Sequence, residues 1–320
     1  MVINQIEYYS QVRARRVEWL WYPYIPYGKL TIIQGDPGEG KSTLILNVAA
    51  LLSKGKPMPD GTSTATPQTI IYQCAEDSAA DTIKPRLISA DADCDRIAFI
   101  VEEEETLTLT DERIEKTIKD TGAKLFILDP IQAFIPPDSD MLSVTKMRGT
   151  MRKLANIAEK YQCAIVLIGH MNKAAAGKNM YRGLGSIDIA AIARSILMVA
   201  RDEANPQVRY VFPVKSSLAP EGSAIGFRIG TDSKIEWLGK CEINTKQFED
   251  DCGIKMNKSE LAKRYLVELL SEGDMLGRDV YAKLEDLDIK SRTVETAKKE
   301  LGIKTYRKGK AWYWKLPRQY

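Results

Sequence analysis

The sequence is poor in histidine and cysteine: one histidine, His170, and five scattered cysteines in 320 residues. No Cys-x-x-Cys pair is present, which argues against a zinc site or a disulfide framework and fits a reducing compartment. No apolar run approaches the roughly 18 residues that a membrane-spanning helix needs. The opening "MVINQIEYYSQVRARR" also lacks a signal-peptide apolar region. A cytoplasmic protein with no membrane partner is therefore expected. Charge of one sign is scarce as well: 46 Lys+Arg stand against 43 Asp+Glu, a net of +3. Its distribution says more than its total. Residues 256–320 hold 15 Lys+Arg and 10 Asp+Glu, a net of +5, so the rest of the chain sums to −2. A basic tail on a near-neutral body points toward nucleic acid, although an ordinary solvated surface would look similar.

What is present is an alternation of apolar runs and helical periods. "KLTIIQG", "QTIIYQCAE", "RIAFIVE", "KLFILDP" and "CAIVLIGH" read as buried strands. Helices are expected between them, over 42–54, 79–90 and 111–119 and across "MRGTMRKLANIAEKY". Near-continuous apolar strands separated by helices predict an α/β domain with a mostly parallel sheet covered on both faces. "ARSILMVAR", "VRYVFPVK" and "AIGFRIG" are expected as antiparallel strands at the sheet's end. The expected organisation is an N-terminal arm over 1–28, an α/β domain over 29–244, a polar linker over 245–258 and a small domain over 259–320. The aromatic lead-in "VEWLWYPYIPYGK" reads as a strand or arm over the domain edge, with a role beside a base or a neighbouring subunit as the alternative.

The chemistry begins at "IIQGDPGEGKSTLIL". Gly35, Asp36, Pro37, Gly38, Glu39, Gly40, Lys41, Ser42 and Thr43 have the spacing of a phosphate-binding loop. Such a loop gathers backbone N–H groups into one concavity at a helix N-terminus, which favours an anion there. Lys41 would reach the β- and γ-phosphates of ATP, and Ser42 would hold Mg²⁺. Asp129, at the end of "LFILDP", supplies the carboxylate that a magnesium site needs on a neighbouring buried strand. Glu76 follows the next strand, and Asp77–Ser78 beside it also reads as a helix cap.

With "DPIQAFIPPDSDMLSVTKMRGTMRKLANIAEKYQCAIVLIGHMNK", "YRGLGSIDIAAIARSIL" and "VKSSLAPEG", residues 17–230 resemble RepA-like and DnaB-like members of the RecA-fold ATPases. The resemblance implies that Glu76 is the catalytic glutamate orienting the attacking water. It implies that His170 senses the γ-phosphate, although a lone histidine is more often structural. It also implies a homo-oligomeric ring of six with ATP between neighbours, and Lys215 as a cation acting in trans. The arginine expected two residues on is Ser217 here, with Arg182 and Arg194 as candidate substitutes. The stretch 172–186 corresponds to a mobile loop lining a DNA channel, where Lys173, Lys178 and Arg182 would touch single-stranded DNA; an ordinary basic loop is the alternative.

Beyond residue 258 three helical periods and a hairpin resemble a winged helix-turn-helix, with Ser259 and Ser291 as N-caps and Gly302 past the last helix. Duplex DNA would meet Arg292, Lys298 and Lys299 on the third helix and Arg307, Lys308 and Lys310 on the wing. Alternation in "WYW" predicts Trp312 and Trp314 inward and Tyr313 outward. The expected function is a DNA-associated ATPase of replicative-helicase type, with a replication initiator or a primase as further partners. A regulatory RecA-fold ATPase that does not unwind DNA is the alternative. A small-molecule kinase lacks the acceptor pocket and arginine-rich lid it would need.

Overall fold

The computed structural model describes residues 8–62, 66–103, 105–136, 144–170, 187–202, 205–243, 258–271, 273–285, 289–309 and 311–317. The chain divides into two compact units, a larger one that holds the main sheet and a smaller one that includes Glu249–Tyr320.

In the larger unit, β1 (Trp19–Trp21) and β2 (Ile25–Pro26) form a two-stranded ribbon. The main sheet has nine strands among the described residues. They are β3 (Leu30–Gly35), β4 (Ile70–Cys74), β5 (Ile97–Ala98), β6 (Leu125–Asp129), β7 (Ala164–His170), β8 (Ser195–Arg201), β9 (Val208–Ser216), β10 (Ala224–Ile229) and β11 (Ile235–Cys241). Their spatial order is β11-β10-β9-β8-β3-β7-β6-β4-β5. The helices are α1 (Lys41–Ser53), α2 (Lys84–Ser89), α3 (Glu112–Thr121), α4 (Val144–Tyr161) and α5 (Ile187–Ile192).

Every residue of β3 and β6 is buried, as strands covered on both faces must be. Alternation along each strand splits the interior into two cores. Ile33, Tyr72, Ile127 and Val166 face one together with α1. Ile32, Ile71, Phe126 and Leu128 face the other with Met147, Met151 and Leu154 of α4. α1 is apolar on all sides because it is enclosed: Leu44, Ile45, Val48 and Leu52 are fully buried. Asn47 closes one side by donating to the Ser233 carbonyl at 3.3 Å and accepting from the Ile235 N–H at 3.2 Å.

Of the lead-in aromatics, Trp21 and Tyr24 belong to the core around α1 and Tyr27 packs against it, while Tyr22 is exposed. Trp21 packs on Tyr24 and edge-on to Trp237. The Tyr24 hydroxyl donates to the Ser223 carbonyl at 2.6 Å.

Two expectations of the main sheet change. β8 is parallel to β3, and only from β8 onward is the pairing antiparallel, with β11 as a further strand. "RIAFIVE" pairs only at Ile97–Ala98. Gln73 displaces the rest of that ladder: its amide accepts from the Ile100 N–H at 2.9 Å and donates to the Ile100 carbonyl at 3.2 Å. Among the described residues no helix is long and apolar enough to cross a membrane.

The smaller unit holds α6 (Lys258–Ser271), α7 (Gly277–Glu285) and α8 (Ser291–Glu300) with a three-stranded antiparallel sheet. Its strands, β12 (Met275–Leu276), β13 (Lys304–Lys308) and β14 (Ala311–Lys315), lie in the order β12-β14-β13. Neither serine is an N-cap. α6 already starts at Lys258, one residue before Ser259. α8 closes its first turn on the Lys290 carbonyl, which accepts from the Thr293 and Val294 N–H groups and leaves Ser291 inside the helix. Trp314 is 3% exposed, packed edge-on to Tyr281. Trp312, expected inward, is 58% exposed. It lies on the same face of the hairpin but two residues nearer the turn.

Candidate nucleotide-binding site

The phosphate loop runs from the buried end of β3 into α1. Two glycines are required by contacts as well as by conformation. A Cβ on Gly35 would stand 2.3 Å from the Val199 carbonyl oxygen, a backbone atom with no rotamer to yield. Gly40, at φ +90°, is the N-cap of α1, and a Cβ there would come within 2.4 Å of Ile229 Cδ1. Pro37 and Gly38 are exposed at the tip, while Asp36, Glu39, Ser42 and Thr43 are half-buried.

Lys41 is 3% exposed. Its ammonium donates to the Gly35 carbonyl at 2.9 Å and the Asp36 carbonyl at 2.8 Å. Burial pulls its pKa below the ordinary lysine value, and the charges of Asp129, Asp36, Glu39 and Glu76 pull it back up. The charges of four carboxylates thus favour the ammonium form of a buried lysine that is held on two loop carbonyl oxygens.

Asp129 ends β6, also 3% exposed. Its carboxylate accepts from the Tyr72 hydroxyl at 2.6 Å. Burial first, and then the adjacent Asp129 charge, push the Tyr72 phenol well above its usual range. Glu76 stands two residues beyond β4, exposed, and its charge reaches Lys41. Its neighbours serve structure: Asp77 pairs with Arg86 at 2.8 Å, and the Ser78 hydroxyl caps the following turn by accepting from the Ala80 N–H. His170 is the last residue of β7, in register with Gly35; its side chain lies outside what is described.

Lys215 is bonded within its own chain. Its ammonium donates to the Ala190 carbonyl at 2.9 Å and the Ala191 carbonyl at 3.1 Å, both in α5. Burial lowers its pKa, helped by the nearby Arg194 charge. The position that lacks an arginine, Ser217, donates its backbone N–H to the Arg194 carbonyl at 3.0 Å. Exposed Arg194 therefore stands beside Ser217 and Lys215. Lys173, Lys178, Arg182 and Lys310 lie outside the described residues, as does the side chain of Lys308. Arg292, Lys299 and Arg307 are exposed. Lys298 is not a surface cation of α8: its ammonium lies 4.1 Å from the Trp314 ring centroid and 3.3 Å from Glu295, with the side chain 17% exposed.

Sequence reading missed three groups that shape this site. Tyr72 carried a signal, a polar-tipped aromatic within an apolar strand. Arg201 and Arg209 carried none. Cross-strand partners on β8 and β9, they come from far along the chain to the loop. Arg201 donates to the Gly38 carbonyl at 2.9 Å and faces Glu39 at 3.7 Å. The Arg209 stem is the next group a Cβ on Gly40 would meet, at 3.4 Å.

A buried lysine in a glycine loop, a buried aspartate on a nearby parallel strand and a sheet of this order define a P-loop ATPase with a RecA-like fold. The chain belongs to the AAA domain family, whose profile matches residues 5–176. It is 32% identical over 152 residues to the DNA repair protein RadA of Halalkalibacterium halodurans, covering 47% of this chain and 29% of that protein. With RadA of Bacillus subtilis it shares 32% over 149 residues, 46% of this chain and 28% of that one. The chain thus spans less than a third of the length of these curated relatives. Among solved structures, the RadB recombinase is similar at 18% identity and a TM-score of 0.48, over 68% of this chain and 93% of that one. A KaiC-like protein from Pyrococcus horikoshii aligns at 18% identity and a TM-score of 0.48, over 67% of this chain and 90% of that one.

Proposed function

We propose that the chain is a DNA-associated ATPase whose hydrolysis of ATP drives changes in its grip on DNA, as a replicative-helicase-type or repair-type motor. The observation that carries the ATPase half is the buried Lys41, held on the loop carbonyls at the N-terminus of α1. The DNA half is supported by the sequence likeness to DNA repair protein RadA and by the basic end of the chain. In this reading Lys41 leaves its carbonyls for the β- and γ-phosphates. Glu76, solvent-facing at the strand end, orients the attacking water and accepts its proton. His170 contacts the γ-phosphate.

Ser42 and Asp129 fit Mg²⁺. They are hard oxygen donors, and that ion is ordinarily held by one or two carboxylates together with substrate phosphates. Once bound, it would neutralise charge on the phosphate oxygens. No cluster of three or more His, Cys, Asp or Glu that could hold a metal occurs among the described residues, and this site does not call for one.

Assembly into a ring of six, with ATP at the seams, belongs to the same proposal. Lys215 would act in trans by leaving the α5 carbonyls, and Arg194 would provide the cation that Ser217 does not. Residues 259–320 read as a winged helix, with Arg292, Lys299 and Arg307 as its DNA-facing cations; an initiator or a primase would be its further partner. The serine at 217 favours a second reading, a regulatory ATPase that assembles with ATP without separating strands. A forked DNA substrate distinguishes the two by displacement or its absence.

The test is ATP turnover with and without single-stranded DNA for the wild type, Lys41→Ala and Glu76→Gln. Lys41→Ala should lose nucleotide binding. Glu76→Gln should keep binding while turnover falls by about 10²–10⁴-fold, the range of general-base catalysis. Turnover indifferent to DNA, with no DNA binding at low salt, would sink the DNA half.

A further inference from the structure

We propose that Trp312 and Arg307 form a ledge on which an unpaired nucleic-acid base stacks, giving the smaller unit a preference for single-stranded over duplex DNA. The proposal rests on the DNA-associated reading above and adds a ligand chemistry to it.

The hairpin places the two side chains together. β13 and β14 pair Thr305 with Trp314 and Arg307 with Trp312. Directly opposed residues share a face, and positions two apart share it too. That face therefore carries Thr305, Arg307, Trp312 and Trp314. Its inner half is closed: Trp314 packs against Tyr281 at 5.2 Å, lies under the Lys298 ammonium, and sits so near Gly277 that a Cβ there would stand 2.6 Å from its indole nitrogen. Toward the turn the same face is open, and Trp312 is 58% exposed beside exposed Arg307. The other face of the hairpin is occupied by its own stack, Tyr306 on Tyr313 at 5.8 Å and 23°.

Charge selects the occupant. Residues 286–320 hold 10 Lys+Arg and 4 Asp+Glu. Most of the described acids of this unit are engaged: Glu295 with Tyr281 and Lys298, Glu300 with Lys263, Asp274 with Tyr306 and Lys315, and Asp279 with Arg278, while Glu285 is exposed at the end of α7. Arg292, Lys299, Lys304 and Arg307 are exposed. An apolar ring rimmed by cations matches a ligand that is flat and aromatic in one part and anionic in the next, which describes a nucleotide strand. Bases within a duplex have both faces covered by their neighbours, whereas an unpaired base offers a bare one. The indole takes the base and the guanidinium takes the adjoining phosphate.

The experiment uses the full chain and a fluorescein-labelled oligothymidylate, with a blunt hairpin duplex of equal charge as the comparison. Anisotropy titrations are run across a salt series on wild type, Trp312→Ala, Trp312→Phe and Arg307→Ala. Thermal melting confirms that each variant folds. Trp312→Ala should weaken oligothymidylate binding about tenfold, within the range of one lost base–aromatic stack. Its salt dependence and duplex affinity should stay unchanged, and Trp312→Phe should keep most of the affinity. Arg307→Ala should flatten the slope of log affinity against log salt by about 0.7, one phosphate contact on a single strand. Because loops elsewhere in the chain could also hold the oligonucleotide, an iododeoxyuridine-substituted strand is photocrosslinked and the adduct mapped; the adduct should fall on Trp312. Equal oligothymidylate affinity for wild type and Trp312→Ala, with the crosslink elsewhere, would overturn the ledge while leaving the DNA-associated reading intact. An equal loss on both probes, or a change in oligomeric state in Trp312→Ala, would overturn it in favour of a duplex or a second copy of the chain. No binding of either probe by the wild type would overturn both readings.

Discussion

Tyr72→Phe isolates one hydrogen bond and changes almost nothing else. The hydroxyl donates at 2.6 Å to the buried Asp129 carboxylate, and Tyr72 is 3% exposed. Phenylalanine keeps the ring and its packing, so no cavity term enters. A hydrogen bond to a charged group contributes about 1.5–3 kcal/mol net, because the carboxylate left behind has no water to turn to. A loss of about 2 kcal/mol should lower the melting temperature of a unit this size by roughly 4–8 °C. The same hydroxyl orients the oxygen proposed to hold Mg²⁺. Removing a group that orients a metal ligand typically weakens the metal about 10–100-fold, so half-maximal turnover should need correspondingly more Mg²⁺. The assay pairs thermal melting with a magnesium titration of ATP turnover. Tyr24→Phe is the control, since that hydroxyl donates at 2.6 Å to the Ser223 backbone carbonyl, outside the nucleotide site. It should cost about 1 kcal/mol, the worth of a neutral hydrogen bond, and leave the magnesium titration unmoved. A Tyr72→Phe protein that melts within a degree of wild type and saturates at the same Mg²⁺ would refute the reasoning.

Two further perturbations read the loop and the surface. Gly40→Ala places a side chain at φ +90° and 2.4 Å from Ile229 Cδ1, which should cost about 1–3 kcal/mol in backbone strain alone and weaken ATP binding. Adding Ile229→Ala should relieve the contact but not the strain, and full recovery in the double variant would show that the backbone was never strained. Asp91 is held at about 2 by hydrogen bonds from Lys54 and Lys56 and by their charges. A depressed carboxylate contributes stability that is complete above its unfolded value near 4 and fades as pH falls through about 2. The urea-midpoint gap between wild type and Asp91→Asn should therefore shrink on going from pH 5 toward pH 2.5. A gap that is constant across that range would contradict the pairing.

The glycine loop, α1 and the strands β3, β4, β6 and β7 could be read in advance because each is written locally, in spacing or apolar runs. The place of Asp129 was legible for the same reason, as the carboxylate that ends an otherwise apolar buried strand. The failures in the main sheet are choices between distant partners. Nothing within "ARSILMVAR" says that it lies parallel to β3, since the decision belongs to β3. Nothing within "RIAFIVE" says that a glutamine on the next strand will take over its backbone groups at Ile100. Alternation assigned Trp312 to the correct face and still misjudged its burial. Period 2 names a face but not how far the opposing helices extend along it. Arg201 and Arg209 were invisible because their meaning comes from Gly38, Glu39 and Gly40, more than 160 residues earlier.

The carbonyl that crowds Gly35, the arginines beside Gly38–Gly40 and the isoleucine against Gly40 all follow residue 176, where the family match ends. A protein cut at that point would retain every atom of the phosphate loop and lose what keeps it folded back on itself. The cut would also run through the middle of the sheet. β3 would lose its pairing with β8 from Thr31 to Gln34, and an interior strand would become a bare edge, open to pairing with another molecule. The portable segment is therefore longer than the signature that identifies it. Its natural end lies past β11, and the loop is better regarded as the meeting point of two distant stretches of chain than as a motif complete in itself.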